Sequence, residues 1–447
     1  MVDATVLTTS GTVRGHVEDT VLVFRDVPYA TSARFGPPET VAEWAGERAV
    51  ADTPIAPQLT SRLAPVMGNA PEGHRQSEDC QRLTITTPAA DGQRRPVLVW
   101  IHGGAWVTGA GSLGIYGGHR IANEGNVVVV ALNYRLGVLG YLRAEGISEG
   151  NHGLADQLAA LRWVHDNIAA FGGDPQAVTV AGQSAGAHAV QCLIGMPLAR
   201  GLFRRAILQS SPAGLGLGNT RSARKGAKRF RNALVGSATT APTSAILDAQ
   251  FIAMRAAAGR LGLGLSTGIA PVPGVGVLPN LPEWKTEVAG RAPDLDVIIG
   301  TTAREAAAFY VPNAAIERLR RIPVLGAIAA NVIERAVSTL VFIRPSRRLA
   351  AQLSHAGARI WVYQFDYAAP DSPFGACHCA ELPFLLGADR DWAEAPMLRG
   401  TPPMVVASLG SRMRTAWLDF VRTGAPDPAI GWAKYTPKTP NVYRWTA

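Results

Sequence analysis

A serine becomes a nucleophile only when a base can take its proton, so the residues of interest are serines in tight turns, histidines, and carboxylates able to orient them. The pattern Gly-x-Ser-x-Gly, which lets a strand bend sharply into a helix and expose the hydroxyl, occurs three times: Gly146-Ile147-Ser148-Glu149-Gly150, Gly182-Gln183-Ser184-Ala185-Gly186 and Gly264-Leu265-Ser266-Thr267-Gly268. Only the second follows a β-type run, Val178-Thr179-Val180-Ala181, and opens a helix-like segment, Ala185 to Ile194, whose dipole favours developing negative charge. Ser148 follows Leu142 in a polar loop and Ser266 runs into Pro271-Val272-Pro273, so both read as loop serines. In a strand-elbow arrangement the acid and the base follow the nucleophile along the chain. Beyond His188, in the elbow's own segment, only His355 and His378 remain. His355 sits at the tail of a helix-like segment, whereas His378 lies in the loop after Ile360 to Phe365, at the strand end where open α/β sheets place ligands. Glu305 follows the run Val297-Ile298-Ile299-Gly300 and either orients the histidine or pairs on the surface with the adjacent Arg304; the residues leave both open. An oxyanion needs backbone donors, and His102-Gly103-Gly104-Ala105-Trp106, directly after Val97 to Ile101, supplies small residues that admit close approach. The expected donors are the N–H groups of Gly104, Ala105 and Ala185.

These groups need a scaffold that delivers strand ends to one place. Short Val- and Ile-rich runs alternate with longer segments of helical period, which predicts an α/β fold with a mostly parallel central sheet and helices on both faces. Val97 to Ile101 and Val127 to Leu132 are apolar on both faces and read as buried strands. Leu154, Leu158, Leu161, Val164 and Ile168 have helical spacing, ended by Gly172-Gly173-Asp174-Pro175. Further strands are predicted at Val178–Val180, Ala206–Leu208, Val297–Ile299 and Ile360–Tyr363, the last clear one. The first forty or so residues alternate short β runs with turns and predict a small antiparallel start. Pro212 to Gly290 and Ala306 to Gly357 break the rhythm and read as insertions walling a pocket over the strand ends.

The composition removes several other classes. The chain has 447 residues, 47% hydrophobic and 17% charged, which excludes a disordered chain. The formal charge of +9 is spread through the chain as arginine, with lysine only at positions 225, 228, 285, 434 and 438. Arg221, Arg224, Lys225, Lys228, Arg229 and Arg231 cluster on one helix, but only Phe230 interleaves, so a solvated face is expected rather than a nucleic-acid site. Cys80, Cys192, Cys377 and Cys379 show no metal spacing, and no metal or cofactor is expected. Ile322 to Ile343 is apolar but broken by Pro323, Gly326, Asn331, Glu334 and Arg335, which predicts a buried or pocket-covering helix rather than a membrane span. The start, Met1-Val2-Asp3-Ala4, carries no signal-peptide pattern, and a cytoplasmic protein, monomeric or weakly homo-oligomeric, is expected.

Taken together, the motifs resemble the type B carboxylesterase family of α/β-hydrolases, which includes bacterial para-nitrobenzyl esterases. Thr9-Ser10-Gly11-Thr12-Val13-Arg14-Gly15, Val27-Pro28-Tyr29-Ala30, Ser77-Glu78-Asp79-Cys80, Asn133-Tyr134-Arg135-Leu136-Gly137, Phe171 to Pro175, and Gly375-Ala376-Cys377-His378 with Glu381-Leu382-Pro383-Phe384 carry the likeness nearly end to end. The resemblance implies one domain over 1–447 with lid-like insertions at about 212–290 and 306–357, nucleophile Ser184, acid Glu305 and base His378. It implies hydrolysis of small, fairly apolar acyl or aryl esters through an acyl-enzyme; amide or carbamate hydrolysis and acyl transfer would use the same groups. A binding member of the superfamily that has lost the nucleophile is the rival reading, and the intact Ser184, Glu305 and His378 speak against it. Gln183 and Ala187 depart from the family's elbow, Gln81 and Arg82 from its second signature, Ala306 from a glycine after the acid, and Cys379 from a glycine after the base. Cys379, beside the base, either makes activity sensitive to thiol reagents by crowding His378 or is a half-buried, inert thiol, the reading favoured here.

Overall fold

A computed structural model describes residues 3–49, 52–258, 264 and 268–447. Its strands are β1 (Ala4–Leu7), β2 (Thr12–Glu18), β3 (Val21–Pro28), β4 (Glu47–Arg48), β5 (Arg82–Thr87), β6 (Arg95–Ile101), β7 (Val128–Leu132), β8 (Gly173–Gln183), β9 (Arg205–Gln209), β10 (Asp296–Thr302), β11 (Arg359–Phe365) and β12 (Tyr443–Trp445). One sheet runs β1-β2-β3-β5-β7-β6-β8-β9-β10-β11-β12, with β4 beside β2. The pairs from β1 through β5 to β7 are antiparallel, and those from β7 onward are parallel. The sheet is thus the expected one: an antiparallel N-terminal edge on a parallel core.

The alternation of side chains along a strand explains why the central strands are apolar throughout. Val97, Val99 and Ile101 of β6 join Val128, Val130 and Leu132 of β7 in the core on one face of the sheet. Leu98 and Trp100, with Val129 and Ala131, feed the core on the other. Two details differ from the sequence reading. β8 begins at Gly173, because the Gly-Gly-Asp-Pro stretch that ends the helix His152–Asn167 already pairs with Arg95. β12 also follows β11, and its pairing of Tyr443 with Tyr363 is a long-range contact that no local pattern announces.

The two irregular stretches are largely helical. Thr220–Ala233, Thr243–Ala258 and Leu281–Arg291 lie between β9 and β10. The first is capped by the Asn219 side chain accepting from Ser222 N–H at 3.0 Å, and it buries Ala223, Gly226, Ala227 and Phe230. Phe230 therefore belongs to the core and presents no ring for base stacking. The loop reading of Ser266 falls on residues outside those described.

Between β10 and β11, Leu325–Val337 continues through a π-helical turn, Ser338–Ile343, into Arg344–His355. Of the expected buried or pocket-covering helix it is the second form that the structure supports, since Val341 and Phe342 line the cavity beside Ser184. Leu325–His355, 31 residues, is long and apolar enough to cross a membrane by length and composition, and only 28% of its most apolar window is buried. Ile328, Val332 and Leu340 are exposed. Its inward face carries Glu334, Ser338 and Phe342: Glu334 pairs with Arg304, Ser338 Oγ accepts Ala306 N–H at 2.9 Å, and Phe342 packs on His378. The residues that interrupt its apolar run are among those that fasten it to the strand ends.

Candidate active site

β8 ends at Gln183, and the chain turns through Ser184 into the buried helix Ala185–Ile194. Ser184 has φ 57° and ψ −121°, a conformation most residues avoid, held by its N–H donating to Gln209 O at 2.8 Å. The flanking glycines are steric requirements. A Cβ on Gly182 would lie 2.5 Å from the Gly186 carbonyl carbon, and one on Gly186 would lie 2.0 Å from Ile101 O. After β6 the chain takes three consecutive positive φ values, at Gly104 (111°), Ala105 (54°) and Trp106 (63°). Val107 and Thr108 N–H both donate to Gly104 O at 3.0 Å and clasp this turn. His102 beneath it stacks on Tyr134 (centroids 4.4 Å apart), and burial lowers its imidazole to about 4, so it is neutral. Its Nδ1–H donates to Gly103 O at 2.7 Å, while Tyr134 OH donates to His102 O at 2.9 Å. Among the described residues, the N–H groups of Gly104, Ala105 and Ala185 have no protein acceptor. Three spare donors therefore flank Ser184 on one cavity wall.

His378 and Glu305 come together from different loops. His378 Nδ1 lies 2.5 Å from Glu305 Oε2, and both side chains are fully buried. The other oxygen, Oε1, accepts Thr302 N–H at 2.8 Å, which fixes the carboxylate plane. The surface alternative for Glu305 does not occur: Arg304 turns to Glu334 instead, at 2.7–2.9 Å, while its own N–H donates to Ala376 O and ties the two loops together. The rings of Phe309 and Phe342 stand 5.3 and 5.1 Å from the imidazole and exclude water from it. Gln183 Nε2 donates to His378 Nε2 at 3.1 Å, so Nε2 is an acceptor and the ring proton sits on Nδ1 facing Glu305. No Ser184 Oγ–His378 hydrogen bond forms among the described residues; the Gln183 amide occupies the nitrogen that a base would use. The other two candidate histidines are elsewhere. His188 donates to Gly216 O at 2.6 Å under Trp106, and His355 caps its own helix.

Several groups at the site escape sequence reading because only tertiary contacts reveal them. Gln58 clamps Gly109 through two hydrogen bonds of 2.7 and 3.0 Å, and Phe309 and Phe342 gain their role only by packing. Cys379 is buried more deeply than expected, and burial, ahead of the nearby Glu381 charge, pushes its thiol well above the usual range, which disfavours the reactive thiolate. Glu381 is fully buried behind the pair; desolvation, then the nearby Glu305 charge, raises its carboxyl to about 8. Gln209 Nε2 is its hydrogen-bond donor, at 3.4 Å.

The linked effect on stability has a definite sign. Between the ordinary carboxyl value of 4.5 and about 8, the native state holds a proton that the unfolded chain has lost. Stability therefore falls as pH rises through that window and levels off above it. Glu381→Gln, which mimics the protonated acid, should match wild type near the lower end and exceed it by on the order of 4 kcal/mol at the upper end. Thermal melts of both proteins across this range check it; a difference that stays constant with pH sinks the assignment.

Ser184, Gly104, Ala105 and Ala185 all face one cavity of about 420 Å³. Residues of both insertions line it, Leu215 and Met254 from the first, Phe309 and Phe342 from the second. A serine elbow at the C-terminal end of a parallel strand, with spare donors after the neighbouring strand, defines an α/β-hydrolase. The sequence model of the carboxylesterase family matches residues 2–321 and 328–447, and the chain belongs to that family of carboxylic ester hydrolases. It is 43% identical over 439 residues to a probable N-octanoylanthranilate hydrolase of Rhodococcus erythropolis, covering 97% of this chain and 96% of that one. It is 34% identical over 477 residues to the para-nitrobenzyl esterase of Bacillus subtilis (strain 168), covering 97% and 93%. A solved thermophilic PNB esterase superposes with a TM-score of 0.83 at 32% identity, over 99% and 96% of the two chains.

Proposed function

We propose that the chain hydrolyses esters through an acyl-enzyme on Ser184. His378 Nε2, released from Gln183 when substrate enters, takes the Ser184 proton as Oγ attacks the carbonyl carbon. The N–H groups of Gly104, Ala105 and Ala185 receive the oxyanion, each such donor contributing about 3 kcal/mol. His378 passes the proton to the leaving alcohol and then activates water, while Glu305 keeps the ring proton on Nδ1 and stabilises the imidazolium. The observation that carries this reading is the strained elbow with three unsatisfied donors beside a buried His–Glu pair. The apolar cavity suits fairly apolar acyl or aryl groups, and the helices over 212–290 and 306–357 act as its lid within a single domain. Four buried free cysteines fit a reducing, cytoplasmic setting.

The relative named for N-octanoylanthranilate favours a second reading for the same groups, hydrolysis of N-acyl amides. Both readings share a testable intermediate. Para-nitrophenyl butyrate should give a pre-steady-state burst, and a fluorophosphonate should add one equivalent, found by peptide mass at Ser184. Stoichiometric labelling elsewhere, or none with active protein, overturns the assignment.

A further inference from the structure

The cavity before Ser184 is apolar, yet its charged lining is of one sign. Arg62 and Arg255 line it, and no carboxylate does among the described residues. Both side chains are exposed at its rim, Arg255 over the Phe251 ring at 5.7 Å and Arg62 donating to Gly264 O at 3.3 Å. The places nearer the reacting carbonyl where negative charge could oppose an anion are neutral or shielded. Gln183, an amide, holds the position beside His378 Nε2. Glu305 has its two oxygens engaged by Thr302 N–H and His378. Glu381 is fully buried, and burial, then the Glu305 charge, raises its carboxyl to about 8, which favours its neutral form. The chain's +9 adds a long-range field of the same sign.

A cavity with apolar walls, a cationic rim and no opposing acid complements a substrate with an apolar body and an anionic end. Resting on Ser184 as the nucleophile, we propose that this hydrolase prefers esters whose end remote from the scissile bond carries a carboxylate, bound by Arg62 and Arg255. Arginine suits that end because its planar fork donates two parallel hydrogen bonds to a carboxylate, which a neutral ester of the same shape does not match.

Two matched pairs test this: para-carboxyphenyl butyrate against its methyl ester, and mono-para-nitrophenyl adipate against its methyl ester. They place the charge on the alcohol and the acyl side respectively. The expected result is a kcat/KM preference for the carboxylate of roughly tenfold in at least one pair at low salt. It should shrink toward unity in about 1 M salt, where the Debye length is about 3 Å. Arg62→Met and Arg255→Met should each lower the ratio, and Arg62→Lys and Arg255→Lys, which keep the charge but not the planar fork, should retain only part of it; comparable melting temperatures exclude misfolding. Normal turnover of the neutral esters with no carboxylate preference, or a preference indifferent to both Met substitutions, overturns the proposal and leaves the esterase reading intact. No turnover of any of the four esters overturns both.

Discussion

Ser184→Ala should reduce turnover of para-nitrophenyl butyrate by about a millionfold in kcat, while Ser148→Ala and Ser266→Ala keep nearly full activity. The size follows from what is removed: without Oγ there is no acyl-enzyme, and His378 has no proton to take. On the proposed mechanism, what persists, about 10³–10⁴ over the uncatalysed rate, would come from the donors of Gly104, Ala105 and Ala185 and from binding. Ser148 differs in situation. It sits in a tight turn where its Oγ accepts Gly150 N–H at 3.2 Å, and it lies outside the cavity that Ser184 lines. Steady-state rates of the three variants check this, with phosphonate titration to exclude trace wild-type enzyme. Ser184→Ala retaining more than about a hundredth of wild-type kcat rules out the nucleophile.

Glu305→Gln should lower kcat by about 10⁴-fold with a folded protein and little change in KM. Thr302 N–H determines the direction of the effect. It donates to Oε1 at 2.8 Å, so in the variant the amide oxygen stays on Thr302 and the NH₂ group faces His378 Nδ1. Nδ1 must then accept, the ring proton moves to Nε2, and the nitrogen that should receive the Ser184 proton is already occupied. Burial removes any escape, since both side chains are fully enclosed and no water can substitute for the lost acceptor. Measured kcat on para-nitrophenyl butyrate, with thermal melts confirming the fold, tests it. A loss of less than about tenfold means that another group orients the imidazole.

Much of this site is legible in sequence because its parts are local. Gly182-Gln183-Ser184-Ala185-Gly186 after a β run, and His102-Gly103-Gly104-Ala105 after another, are short patterns whose small residues answer steric needs within a few positions: Gly186 must clear Ile101 O, and Gly182 must clear Gly186. The apolar runs of β6 and β7 likewise announce a sheet buried on both faces. Chain order and strand ends then narrow the candidate base to His378.

The sequence by itself thus determined the elbow, the glycine turn after β6, the parallel core with its antiparallel edge, and the candidate histidine. Only the tertiary structure decided between the two fates of Glu305, because Arg304 was committed elsewhere by Glu334, a partner thirty residues on. It also put the Gln183 amide on His378 Nε2, raised Glu381 by burying it near Glu305, left the face of Leu325–His355 that carries Ile328, Val332 and Leu340 in solvent, and paired β12 with β11. The division has one physical cause. Backbone sterics and side-chain periodicity act over a few residues and so leave a readable pattern, whereas the partner of a charge, the protonation of a buried acid and the covered side of a helix depend on groups that only folding brings within a few ångströms.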